Sequence, residues 1–305
     1  MRLSHLLQLT VLSVACHSGQ PVARQPAPRP VVADGMVDIG GGVSLHIHCV
    51  GEGAPTVVMD AGLGNDGSVW KDVQQRVARS VRTCAYDRAG LGYSSRPAPQ
   101  PHTHRQMARE LHELLERAAI DAPYVLVGHS MGGINVRLFE TEHPEQVLGM
   151  VLVDATVDPE RSRALVPEEE LRKFRELLPS IGEGLDYDTF VAGAADMRAS
   201  SLSLGAKPLV ILTRSIEDAP PWASEPQRAE MLRVWQELQA SLLTLSSNSA
   251  QIIVPHTRHY IQRDAPQTVA SAIEEVVSAA RDRRRLNDAP LRQLSETRAS
   301  TPAPL

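Results

Sequence analysis

The segment 124–140 constrains the fold of this chain more than any other. An apolar run at 124–127 predicts a short buried strand, and residues 134–140 predict a helix. Between them Ser130 lies in a Gly-X-Ser-X-Gly turn, where Gly128 and Gly132 let strand and helix approach closely. Such a turn exposes the serine hydroxyl beside the N-terminus of the helix, which favours developing negative charge. Ser130 is therefore the candidate nucleophile.

Apolar runs alternate with helical patterns along the rest of the chain. Strands are predicted at 36–39, 43–50, 56–59, 81–86, 147–153, 209–212 and 251–254, and helices at 105–119, 225–246 and 265–283. This alternation predicts an α/β fold with a mainly parallel sheet and helices on both faces, which binds ligands at the carboxyl ends of the strands. The stretch 155–206 interrupts the alternation with polar helices at 168–178 and 187–198, and we interpret it as a small helical cap insertion over the site.

The sequences at the two ends of the chain predict a signal peptide at the N-terminus and a disordered tail at the C-terminus. Residues 1–15 have the charge, the short apolar core and the small residues Ser13 and Ala15 of a signal peptide, so we expect export. Cys16 follows directly and resembles the lipid-attachment cysteine of bacterial lipoproteins, although Ser13 stands where an aliphatic residue is usual. Both simple cleavage and lipid attachment stay open. The proline-containing stretch 16–35 is predicted to be a linker, and 286–305 a disordered tail.

Composition excludes some function classes. Hydrophobic residues make up 42% of the 305 residues, enough for a sizeable core, and a net charge of -5 gives no reason to expect nucleic acid as a partner. The chain shows no dinucleotide-binding glycine pattern. His46 and His48 share one strand face but have no third metal ligand near them in sequence. We therefore expect no cofactor and no metal.

A serine hydroxyl needs a base to act as a nucleophile. His259 is the best candidate, because it follows the last predicted strand and precedes the final helix. His256, three residues earlier, is the competitor. His129 adjoins Ser130 but should point away from it, because adjacent side chains diverge at a tight turn.

These motifs together resemble the α/β-hydrolase superfamily over residues 36–283. The resemblance rests on GHSMGG at 128–133, DRAGLGYS at 87–94 and HYIQ at 259–262. The last segment has Arg258 where the family usually has glycine. The resemblance implies an eight-stranded sheet in a domain spanning 36–285, and the chain order nucleophile, acid, histidine.

The resemblance also implies an oxyanion hole made by two backbone N–H groups. One belongs to the residue after the nucleophile, Met131. The other comes from the loop after the third strand, where Ala61-Gly62 replaces the usual His-Gly pair. Leu63 is the predicted donor there, with Gly62 as the alternative.

The acid of the implied triad has two candidate positions. Family members most often carry it after the strand predicted at 209–212, where Glu217 or Asp218 could serve, but no glycine precedes them as expected. Other members carry it directly after the strand that follows the elbow. Asp154 occupies that position, and we favour it.

The resemblance implies a serine hydrolase that cleaves a small-molecule carboxylic ester through an acyl-enzyme, without a cofactor. Serine at the elbow argues against dehalogenase and epoxide hydrolase chemistry, which uses a carboxylate nucleophile in this superfamily. An amidase or aminopeptidase, or a non-catalytic ligand-binding protein, remains an alternative. Membrane anchoring would come only through a lipid on Cys16. In the resembled fold the strands of Cys49 and Cys84 are neighbours, so export predicts a disulfide between them, with two buried free cysteines as the alternative.

Overall fold

A computed structural model of the protein describes residues 33–96, 101–200, 202–216 and 220–300. The predicted signal peptide, Cys16, and the alternative acids Glu217 and Asp218 lie outside these residues. The strands are β1 (Asp34–Gly40), β2 (Val43–Val50), β3 (Thr56–Asp60), β4 (Thr83–Tyr86), β5 (Tyr124–His129), β6 (Val147–Val153), β7 (Leu209–Arg214) and β8 (Ser249–Val254).

These strands form one sheet in the order β1-β2-β4-β3-β5-β6-β7-β8. The strands from β4 through β8 pair in parallel, and β1 and β2 add an antiparallel edge. The predicted eight-stranded, mainly parallel sheet is therefore confirmed. Strand β1 begins at Asp34, two residues before the strand predicted from residue 36.

Helices cover both faces of the sheet, as predicted. They are α1 (Lys71–Val77), α2 (His104–Arg117), α3 (Gly132–Glu142), α4 (Pro159–Arg163), α5 (Glu168–Leu177), α6 (Tyr187–Ala199), α7 (Glu225–Ser241), α8 (Ile261–Asp264), α9 (Pro266–Asp282) and α10 (Ala289–Ala299). Helices α2 and α3 pack on one face, and α1 and α9 on the other.

The buried strands supply both halves of the core because side chains alternate across a sheet. In β5, Leu126 packs with Leu111 of α2, whereas Val125 and Val127 face the cluster that contains Ile273 of α9. Such a strand is apolar throughout, which explains why its sequence is a continuous apolar run.

The cap lies between β6 and β7, where the sequence predicted an insertion. Helices α5 and α6 match the two predicted helices to within one residue at each end. Helix α4, which has five residues and Pro159 in its first turn, was not predicted from the sequence. The side chain of Asp158 caps it by accepting hydrogen bonds from the N–H groups of Glu160 and Arg161.

The C-terminal tail was predicted to be disordered, and this is wrong for residues 289–299, which form α10. Leu291 is buried in the core, the hydroxyl of Ser295 donates to the carbonyl of Ile253, and the guanidinium of Arg298 donates to the carbonyl of Pro255. One buried leucine and a few side-chain hydrogen bonds hold this helix, so its sequence lacks the apolar stripe that usually reveals a packed helix.

The edge of the sheet carries the predicted disulfide. Cys49 of β2 and Cys84 of β4 face each other across the antiparallel pair, with their Cα atoms 4.0 Å apart, and are bonded. The predicted bridge is confirmed. Within the described ranges, no helix combines the length and the apolar character that crossing a membrane would require.

Candidate active site

Ser130 lies on a tight turn between β5 and α3. Its φ of +50° is in the left-handed region, which a residue with a side chain adopts only when its surroundings enforce it. A Cβ on Gly128 would lie 2.7 Å from the Cα of Gly133, and a Cβ on Gly132 would lie 2.5 Å from the carbonyl oxygen of Ala61. The two glycines are therefore required for the close packing that holds Ser130 at the carboxyl edge of the sheet.

Asp154 and His259 come together at the same edge. Asp154 follows β6 directly, has a φ of +45°, and is fully buried. The Nδ1 atom of His259, in the loop after β8, lies 2.7 Å from the Oδ2 atom of Asp154. We assign Nδ1–H as the donor because an ionised carboxylate only accepts, which leaves the lone pair of the ring on Nε2. The structure thus pairs the favoured acid with the favoured base.

His256 lies elsewhere. Its Nε2 atom lies 3.5 Å from the carbonyl oxygen of Ala299, at the end of α10. This places the ring of the competing histidine against the C-terminal helix, away from the carboxylate of Asp154.

Two residues that the sequence analysis did not single out hold Asp154. Arg214, the last residue of β7, donates its backbone N–H to Oδ1 at 3.1 Å and its guanidinium to Oδ2 at 2.8 Å. The indole N–H of Trp235, on α7, donates to Oδ1 at 2.7 Å. The guanidinium of Arg214 also stacks on the Trp235 ring, 4.3 Å from its centroid, and lies 3.4 Å from Nδ1 of His259.

These contacts set the charge of Asp154. Burial alone would raise the pKa of its carboxyl. The positive charge of Arg214, together with the hydrogen bonds from His259 and Trp235, outweighs burial and lowers the pKa to about 2. Asp154 is therefore ionised at any pH near neutrality, as a carboxylate that orients an imidazole must be.

The loop after β3 lies against the nucleophile on the other side. A Cβ on Gly62 would lie 2.8 Å from the Nδ1 atom of His129 and 3.2 Å from the Cβ of Ser130, so this loop runs close to the nucleophile turn. Leu63 follows Gly62 in this loop, and Met131 follows Ser130 in the turn, so the two predicted oxyanion-hole donors belong to neighbouring segments. The side chains of Leu63 and Met131 pack together with Leu185 of the cap.

His129 links the nucleophile turn to the loop of the base. Its side chain is fully buried, and its Nε2–H donates to the carbonyl oxygen of His259 at 2.9 Å. Burial lowers the pKa of His129 to about 3, with a smaller contribution from His259, so the ring is neutral. The sequence analysis expected only that this ring would turn away from Ser130, and missed its contact with the histidine loop.

A buried arginine lies under the loop after β3. Arg88 follows β4 and contacts Asp60 at the end of β3 and Glu183 of the cap. Both of these ion pairs are excluded from water. The sequence analysis used Arg88 only as part of the 87–94 motif and did not single out Glu183.

The two histidines of β2 contact a carboxylate of β1. His46 Nε2 and His48 Nδ1 lie 3.1 and 3.5 Å from the same carboxylate oxygen of Asp34. Across the part of the chain that the structure describes, no group of three or more histidine, cysteine, aspartate or glutamate side chains could hold a metal ion.

Comparison with known proteins identifies chains that are similar to this one. The family model of the alpha/beta hydrolase fold matches residues 55–236. The protein YqjL of Bacillus subtilis (strain 168), which is described as uncharacterized, is 30% identical over 240 residues, covering 78% of this chain and 90% of YqjL.

Solved structures share the fold at low identity. A thermophilic esterase from Thermogutta terrifontis, solved with malate bound, is 20% identical with a TM-score of 0.57, over 82% of this chain and 99% of the esterase. The haloalkane dehalogenase DatA from Agrobacterium tumefaciens C58 is 17% identical with a TM-score of 0.58, over 81% of this chain and 96% of the dehalogenase. At these identities the likeness extends to the fold alone.

Proposed function

This chain belongs to the α/β-hydrolase fold family, and we propose that it is a serine hydrolase that cleaves carboxylic esters of small molecules. Ser130 is the nucleophile, His259 the base and Asp154 the acid that orients it. The observation that carries the proposal is the 2.7 Å hydrogen bond between His259 and the buried Asp154, at the sheet edge where the turn presents Ser130. No cofactor takes part.

Acylation begins when His259 Nε2 removes the proton of the Ser130 hydroxyl as its oxygen attacks the ester carbonyl carbon. The carbonyl oxygen becomes an oxyanion, which accepts hydrogen bonds from the N–H groups of Leu63 and Met131. Collapse of this intermediate breaks the bond to the alcohol oxygen, and His259 gives that oxygen the proton. The products of this half-reaction are the free alcohol and an acyl group on Ser130.

Deacylation repeats these steps with water. His259 removes a proton from a water molecule, the resulting hydroxyl attacks the acyl carbon, and the bond to Ser130 breaks. The serine recovers its proton from His259 and the carboxylic acid leaves. Throughout both halves the ionised Asp154 stabilises the imidazolium form of His259, which is why its low pKa matters.

Serine at the elbow supports ester hydrolysis over the dehalogenation named for one structural neighbour. Haloalkane displacement on this fold needs a carboxylate nucleophile, and Ser130 cannot form the corresponding alkyl-ester intermediate. Amide bonds are open to the same machinery, so an amidase or aminopeptidase is the alternative within the same mechanism. A non-catalytic ligand-binding protein would have no use for the Asp154–His259 pair.

We also propose that the protein acts outside the cytoplasm, with anchoring through Cys16 as one form. The N-terminal sequence motivates this, and the bond between Cys49 and Cys84 is consistent with it because disulfides persist in oxidising compartments.

Hydrolysis of p-nitrophenyl esters of increasing acyl length tests the proposed activity. Wild-type protein should release p-nitrophenol, and Ser130→Ala should lower kcat/KM by ~10⁴-fold or more. The matched control is Ser278→Ala on α9, which should keep wild-type rates. Equal rates for Ser130→Ala and wild type would overturn the mechanism, and activity on p-nitroanilides alone would assign the amidase alternative.

A further inference from the structure

The cap contacts the rest of the domain through the buried carboxylate of Glu183. Glu183 lies in the cap loop between α5 and α6 and is fully buried. The rest of the domain holds the backbone of this loop through His102. The backbone N–H of His102 donates to the carbonyl of Gly184 at 2.9 Å, and the His102 ring contacts the carbonyl of Glu183 at 3.0 Å. The loop also lies flat on the segment after β4, since a Cβ on Gly90 would collide with the carbonyl oxygen of Gly182.

Glu183 meets Arg88 in a two-pronged ion pair. The Nε atom of Arg88 donates to Oε2 at 2.8 Å, and one terminal nitrogen donates to Oε1 at 3.1 Å. The same Oε1 accepts the backbone N–H of Gly64 at 2.6 Å. Glu183 thus bonds both the arginine and the end of the loop after β3.

The remaining donors of Arg88 hold the start of that loop. They donate to the carbonyl oxygen of Ala61 at 2.6 Å, to that of Gly62 at 2.7 Å, and to the carboxylate of Asp60 at 2.5 Å. With the two bonds to Glu183, all five N–H groups of the guanidinium are used. No other side chain has this number of donors in a fixed plane, so lysine could not replace it.

By holding these carbonyl groups, Arg88 also fixes the direction of the N–H groups in the same peptides. In a planar trans peptide the N–H points opposite to the C=O, and both peptide bonds that Arg88 contacts are trans. When the carbonyl of Gly62 points at Arg88, the N–H of Leu63 points away from it. The loop also runs close to the nucleophile, since a Cβ on Gly62 would lie 3.2 Å from the Cβ of Ser130.

We propose that Arg88 and Glu183 are positioning residues for the oxyanion hole, and that the cap thereby contributes to stabilising the transition state. Arg88 fixes the peptide planes, and Glu183 fixes both Arg88 and the N–H of Gly64. The contribution is one of orientation, because Arg88 acts through the peptide carbonyls that it bonds. This inference rests on the proposed serine hydrolase function.

A purely structural ion pair would stabilise the cap without affecting the transition state selectively. The test therefore compares kcat, KM and the inhibition constant of phenylboronic acid, which forms a tetrahedral adduct with a nucleophilic serine. Arg88→Lys keeps the charge but loses carbonyl contacts, and Glu183→Gln keeps the shape but loses the charge pairing. The matched control is Glu140→Gln, which removes the charge of another buried glutamate, paired with Lys207 at 2.7 Å at the far end of α3.

The proposal predicts that Arg88→Lys and Glu183→Gln each lower kcat by ~10²–10³-fold, the cost of losing one oxyanion-hole donor. KM should change by less than about threefold, while the inhibition constant of phenylboronic acid rises in parallel with the loss of kcat. Glu140→Gln should keep the wild-type kcat.

If the single variants do not fold, Arg88→Met combined with Glu183→Leu keeps the volume without buried charge and should show the same loss of kcat. Folded variants that retain kcat within about threefold of an active wild type would overturn the role of Arg88 and Glu183. The serine mechanism would stand in that case, because it is tested on wild type and Ser130→Ala.

Discussion

The two sides of Ser130 are held by different parts of the chain. On one side, Asp154 and His259 depend on Arg214 and Trp235, which belong to β7 and α7. On the other, the loop after β3 depends on Arg88, whose ion-pair partner Glu183 belongs to the cap. A buried arginine is central on both sides: Arg214 bonds the carboxylate of Asp154, and Arg88 joins the loop after β3 to the cap through Glu183.

This difference separates two catalytic tasks. Arg214 bonds a carboxylate directly and so controls its ionisation, whereas Arg88 bonds peptide carbonyls and so controls where N–H groups point. Changes on the acid side should therefore alter the pH dependence of the reaction. Changes on the cap side should alter kcat at every pH.

The largest effect is expected on the acid–base side. His259→Ala should lower kcat by ~10⁶-fold, because it removes the base that takes the proton of Ser130. His256→Ala should stay within about tenfold of wild type, since its ring contacts α10. Rates of p-nitrophenyl ester hydrolysis at pH 8 decide this, and the reverse order of the two variants would assign the base to His256.

Asp154→Asn should lower kcat by ~10⁴-fold, because an amide cannot stabilise the imidazolium and favours the wrong ring tautomer. The control is Asp186→Asn, at the exposed N-terminus of α6, which should keep wild-type activity. The same ester assay measures both. An Asp154→Asn enzyme within tenfold of wild type would move the acid to Glu217 or Asp218.

Arg214→Gln should change the pH profile more than the maximal rate. Arg214 is the main influence that lowers the pKa of Asp154 against its burial. Without that charge the pKa of Asp154 rises by ~1–3, so its carboxyl is protonated at higher pH. The acid-side fall of kcat/KM therefore moves to higher pH. Glu183→Gln should leave this acid-side fall in place. An acid-side fall that moves equally in both variants would abolish the distinction between the two sides.

The sequence was sufficient for the parts of the site that follow local patterns. The apolar run of β5, the glycines of the turn and the strand ends predicted Ser130 and His259, because buried strands and tight turns constrain neighbouring residues, whereas Asp154 was predicted from the family resemblance. The family resemblance supplied the number of strands and the adjacency of the strands that carry Cys49 and Cys84, which no local pattern contains. The α/β class and the cap insertion followed from the alternation of strands and helices.

The supporting contacts could not be predicted because they join distant segments without a periodic signal. Arg88 and Glu183 are 95 residues apart, and Trp235 is 81 residues from Asp154. Trp235 matched the apolar pattern of a long helix, which gave no reason to assign its N–H a partner. That helix also ends earlier than predicted, at Ser241, where a 3₁₀ turn at Leu242–Leu245 follows.

The most direct test of the account is the site of covalent modification by a fluorophosphonate probe. Wild-type protein is incubated with the probe, digested and analysed by mass spectrometry, while residual p-nitrophenyl ester hydrolysis is followed in parallel. The account predicts one phosphonyl adduct, on Ser130, whose formation matches the loss of activity. An adduct on another residue would contradict it. A Ser130→Ala protein that is still labelled, and that loses its residual activity when labelled, would contradict it as well.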